Sequence, residues 1–178
     1  MKKKVIIFVL FVFVILLVIS FTSIDLVKET TLAKTAYELP QSVKNQIEAE
    51  TMGMDEMHIL NYGIRLTASL LDFSEINDIK NGKANCVGYA ILCKSICDYA
   101  YRLNGYNIKV NHVRGYVSLM GINLCKIAQS ISPKKYKSFV KDHDFIELSL
   151  GGSYYYIDPS LYDLMGTDCM TIITDRRF

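Results

Sequence analysis

Between Asn81 and Tyr106 the chain reads NGKANCVGYAILCKSICDYAYRLNGY, a polar loop followed by an apolar-periodic run that can satisfy its backbone and bury its side chains only as a helix. The run predicts a helix from Cys86 or Val87 to Leu103, with Asn104 and Gly105 as its stop signal. Cys86, Ala90, Cys93, Cys97 and Ala100 then fall on one stripe, and the rest of the domain must pack against it. Upstream, Met57, Leu60, Ile64, Ala68 and Leu71 recur at helical spacing and predict a second helix with one buried face. Downstream, YNIKVNHVRGYVSLMGI is rich in β-branched and aromatic residues and reads as a strand, and CKIAQSISPKKYKSFVKD reads as a loop with a helical turn. HDFIELSLGGSYYYIDPS reads as a hairpin turning at Gly151 and Gly152 and ending at Pro159, and IITDRRF as a last strand or a tail. Helices first and strands later make an α+β domain.

The chain opens with Lys2, Lys3 and Lys4, and from Val5 to Ile19 carries no polar residue. Extended toward Ile24, such a run just crosses a hydrocarbon core, which takes roughly 20 residues of helix. Leading lysines stay in the cytoplasm, so residues 1–24 read as a signal anchor or transmembrane helix, with the rest outside the cytoplasm in a single-pass arrangement. A cleaved signal peptide and a secreted product is the competing reading, although no A-x-A site appears. Residues 25–54, polar, mixed in charge and broken by Pro40, read as a stalk or linker, and 55–178 as the compact domain. Without the leader's three lysines the 20 basic residues fall to 17 against 18 acidic ones, too little positive charge for a nucleic-acid partner.

Chemistry concentrates at the helix start. A thiolate is stabilised there by free backbone N–H groups and the helix dipole, which singles out Cys86 among the five cysteines. Cys93 and Cys97, deeper in the helix, read as small apolar fillers. A thiol nucleophile also needs a base and a group to orient it. Of the three histidines, His58 lies in the upstream helix, His112 in mid-strand, and His143 opens the hairpin. If Gly151 and Gly152 form a two-residue turn, opposing positions sum to 303, and His143 and Asp158 become diagonal neighbours on one face; a three-residue turn, summing to 304, would send Asp158 to the other face.

The ordered set NCVGYA, GYNIKVNHVRGYV, HDFIEL and YYIDPS resembles the transglutaminase-like cysteine enzymes, a branch of the papain-like fold. The likeness covers Asn81 to Ser160. It implies a nucleophile-bearing helix packed on an antiparallel sheet, with Cys86 as nucleophile, His143 as base and Asp158 as orienting carboxylate. It further implies attack on an amide carbonyl of a protein or peptide, a thioester intermediate resolved by water or an amine, and no cofactor. The oxyanion would be held by the Cys86 backbone N–H and a further donor, for which Asn81 and Asn85 are candidates. Members commonly carry glycine shortly before the cysteine and tryptophan two after the histidine, where this chain has KANC and Phe145.

Blander readings stand beside these. Asp158 before Pro159 could simply begin a turn. Glu147, on the His143 face, reads as a solvated strand glutamate or as a residue tuning the site. A metal centre on Cys86, Cys93 and Cys97 lacks the C-x-x-C pairs that zinc sites use. The alternative function is a non-catalytic surface binding module that keeps the fold and holds a peptide in the groove around Cys86.

Overall fold

The computed structural model describes residues 24–32, 36–119, 122–123, 143–165 and 170–174. In chain order these form β1 (Ile24–Thr31), α1 (Gln41–Thr51), α2 (Glu56–Leu70), β2 (Asp72–Phe73), a 3-10 turn (Ile79–Asn81), β3 (Lys83–Ala84), α3 (Cys86–Leu103), β4 (Asn111–Leu119), β5 (Ile122–Asn123), β6 (His143–Leu150), β7 (Ser153–Ile157), α4 (Pro159–Met165) and β8 (Met170–Thr174). The main sheet is antiparallel in the order β1-β4-β6-β7-β8, with β5 on β4; β2 and β3 form a separate parallel pair. β1 and β8 come into contact from opposite ends of the sheet, so it is curled.

α3 lies at the centre of the main core. Tyr89, Ala90, Cys93, Ile96, Cys97, Ala100 and Tyr101 on this helix are fully buried. They pack with Ile59, Leu60 and Ile64 of α2, Ile47 of α1, and Ile146, Leu148 and Ile157 from one face of β6 and β7. The predicted stripe is thus buried from Ala90 to Ala100, whereas Cys86 at its end is only partly covered. On α2 the buried set is Ile59, Leu60, Gly63, Ile64, Leu66 and Thr67, wider than the predicted face, because the helix packs against both α3 and α4. The opposite face of the sheet buries a smaller cluster of Leu26, Val113 and Phe145.

The domain expectation is corrected at its N-terminal side. Residues 25–54 are not a stalk: β1 pairs along β4 from Ile24↔Leu119 to Thr31↔Val113, and α1 buries Ile47 in the main core. The alternation that places Leu26 inward is hidden by its polar neighbours Asp25, Lys28 and Glu29. The close approach of β1 to β4 depends on Gly115, where a Cβ would stand 1.8 Å from the Val27 carbonyl oxygen.

The membrane expectation is also corrected. Among the described residues no helix is long and apolar enough to cross a membrane. The longest, α3, carries Lys94, Asp98 and Arg102. The fold class is corrected to a small α+β domain with a curled antiparallel sheet, and no helix among the described residues supports the expected transmembrane segment or the single-pass localisation that rested on it. The run Val5–Ile19 itself lies outside the described residues, as do Cys125, Cys169 and the whole segment between β5 and β6.

Candidate functional site

α3 starts where the sequence predicts. Asn85 is its N-cap: the backbone is extended and the side-chain oxygen accepts from the Val87 N–H at 3.0 Å. The helical ladder opens with the Tyr89 N–H on the Asn85 carbonyl at 3.0 Å, so Cys86 occupies the first helical position, among N–H groups that have no ladder partner. The preceding loop is held by Asn77, whose Oδ1 accepts from the Asn85 N–H at 3.0 Å. Gly88 makes room for that loop, since a Cβ there would lie 2.6 Å from the Ala84 Cβ and 2.7 Å from Asn77 Oδ1.

The hairpin adopts the two-residue turn. Gly151 and Gly152 have φ of 57° and 82°, as a type I′ turn requires, and the pairing Leu150↔Ser153 through Ile146↔Ile157 keeps the sum of 303. Beyond the last pair, the His143 ring donates from Nε2 to Asp158 Oδ2 in a buried contact. Asp158 has a second role that sequence reasoning missed. It caps α4: Oδ1 accepts from the Ser160 N–H at 2.9 Å, the Leu161 N–H at 3.1 Å and the Ser160 hydroxyl at 2.6 Å. Aspartate followed by proline at the first helical position was the available signal for this cap.

The thiol of Cys86 lies near the same imidazole, close enough to favour its protonated form. With Nε2 engaged by Asp158, Nδ1 is the ring nitrogen left for sulfur. Burial acts against a charged imidazole, but the Asp158 carboxylate and then the Cys86 thiol outweigh it and hold His143 well above the usual histidine range. Burial likewise opposes the charge on Asp158, yet His143, the Ser160 hydroxyl and the Leu161 N–H hold its carboxyl below the ordinary value. Sulfur, imidazole and carboxylate thus come together where α3, β6 and α4 meet.

The remaining polar residues are otherwise employed. Asn81 donates its side-chain N–H to Asp78 Oδ2 at 2.7 Å and its backbone N–H to the Asp78 carbonyl at 3.0 Å, so it is turned into its own loop rather than toward an oxyanion. Asn85 serves as the cap. His58 is exposed and pairs with Asp55, the N-cap of α2, at 2.7 Å. His112 is buried and meets Asp144 at 2.9 Å, and Arg114 donates from Nε to the other oxygen of that carboxylate at 2.8 Å. Glu147 is buried rather than solvated: it pairs with Lys28 at 2.6 Å and accepts from Asn111 at 3.2 Å, tying β1 to β6. Cys97 touches Cys93, and this contact together with burial pushes its thiol well up, as suits a filler and not a nucleophile. Among the described residues no group of His, Cys, Asp and Glu is arranged to hold a metal ion.

No family model matches the chain, and no curated protein matches it.

Proposed function

We propose that the protein is a cysteine enzyme of transglutaminase-like type that acts on amide bonds of proteins or peptides through Cys86, His143 and Asp158. The observation that carries this reading is the buried His143–Asp158 pair with the partly covered Cys86 thiol close enough to act on the same ring. In the resting site, proton transfer from sulfur to Nδ1 gives a thiolate and an imidazolium, the first favoured by the start of α3 and the second by Asp158. The thiolate attacks the amide carbonyl, forming the C–S bond, and the carbonyl π pair moves to oxygen, where the Cys86 N–H can receive it. Collapse of this intermediate breaks the C–N bond as Nδ1 returns its proton to the leaving amine. Water or a second amine then attacks the thioester, passing a proton back through Nδ1, and the thiol is regenerated.

Incubating the full chain with glutamine-bearing peptides, with and without a primary amine, and weighing the products tests the reading. Deamidated or amine-linked product that disappears in Cys86→Ala is the expected result. A protein that binds such peptides but leaves their mass unchanged, with Cys86 reacting toward iodoacetamide no faster than in a His143→Ala variant, fits the binding module instead.

A further inference from the structure

Two of the three proposed catalytic groups sit at helix starts, Cys86 in the first turn of α3 and Asp158 at the cap of α4. The β6–β7 ladder fixes His143 relative to Asp158, but no part of that ladder fixes either relative to sulfur. That separation depends on how α3 and α4 dock. One turn beyond Cys86, the fully buried Tyr89 places its hydroxyl 2.5 Å from Asp163 Oδ2 on α4 and 2.9 Å from the Leu71 carbonyl at the end of α2. Its ring lies against Phe73 of β2, with centroids 6.4 Å apart, so the phenol cannot swing away. Burial and the Asp163 carboxylate both push the Tyr89 hydroxyl up, so it keeps its proton and remains a donor.

We propose that Tyr89 and Asp163 form a positioning pair whose hydrogen bond sets the spacing between the helix starts that carry Cys86 and Asp158, and so the contact between sulfur and imidazole. The inference rests on the catalytic reading above. Loss of the bond lets α4 shift against α3, carrying Asp158 with it and loosening its hold on the His143 ring, and displacements well below the width of an atom weaken a proton-transfer contact.

Tyr101 provides a matched control, being equally buried on the same helix, with its hydroxyl on the Glu56 carbonyl at 2.9 Å, near the other end of α3. The measurement is the rate at which iodoacetamide alkylates Cys86 in the full chain, followed by mass spectrometry across pH. Tyr89→Phe and Asp163→Leu are expected to slow Cys86 by about fivefold or more near neutral pH and to move the midpoint of its pH profile upward. Asp163→Asn, which keeps an acceptor, restores most of the rate. Tyr101→Phe leaves rate and midpoint within about twofold of the starting protein, although it too loses a buried hydrogen bond and melts at a lower temperature. Identical profiles in the two phenylalanine variants overturn the positioning role. A starting rate that His143→Ala does not change overturns the catalytic reading instead, and the pair's role with it.

Discussion

Replacing Asp158 with asparagine separates the charge at this position from its role as a helix cap. Asparagine keeps an oxygen for Ser160 and Leu161, the partners now held at 2.9 Å and 3.1 Å by their N–H groups, so α4 retains its start. What is lost is the negative oxygen facing His143. Both groups are buried, Asp158 completely and His143 to within 7% exposure, so water screens little of their attraction. Removing one partner from such a pair costs about 3–5 kcal/mol, and because the imidazole can escape by shedding its proton the lower end, about 3 kcal/mol, applies here. The cost depends on pH in a defined direction. The raised pKa of His143 means that the folded state holds a proton the unfolded chain releases near pH 6.5. The stabilisation is therefore fully present below that pH and lost as pH rises through the folded value. Urea unfolding should show a deficit of about 3 kcal/mol for Asp158→Asn at pH 6, shrinking to about 1 kcal/mol at alkaline pH once the folded imidazole has released its proton and only a neutral hydrogen bond is at stake. The asparagine N–H would also favour the tautomer with the proton on Nδ1, so alkylation of Cys86 at neutral pH should slow about a hundredfold. A deficit that stays constant across this range would refute the charged pair.

Two further substitutions probe the supports of the site. Gly115→Ala puts a methyl group 1.8 Å from the Val27 carbonyl oxygen, a backbone atom that cannot turn aside, so β1 must part from β4. Urea unfolding should record a loss of about 3 kcal/mol, and a change under about 0.5 kcal/mol would mean that β1 does not pack there. Asn85→Ala removes the cap on Val87 and should cost about 1 kcal/mol in thermal unfolding while slowing Cys86 alkylation. Unchanged alkylation would show that the thiol draws nothing from the ordered start of α3.

How far the chain could be read depended on the range of the interactions involved. The bounds of α3 follow from apolar spacing within the helix and from Asn85, Asn104 and Gly105 at its ends, all within a few residues of what they control. The glycine pair similarly announces its own turn. Ser160, Tyr89 and Asp163 were not legible as partners because serine, tyrosine and aspartate are unremarkable until a distant element is brought up to them. Glu147 misled for the same reason: a strand glutamate looks solvated until Lys28 reaches it from β1, across 119 positions of sequence. The polar look of residues 25–54 concealed a strand because only Leu26 and its alternation mark the inward face.

Local backbone preference, acting through side-chain period and turn chemistry, was enough to put Cys86 at a helix start and His143 beside Asp158, since each arrangement is set within one helix or one hairpin. Bringing sulfur to the imidazole is a different matter. It requires α3 to dock against β6 and α4 at one particular depth, and that depth is set by the burial of Tyr89, Ile146 and Ile157 in one core. Only the whole fold, through the mutual exclusion of packed atoms, decides it.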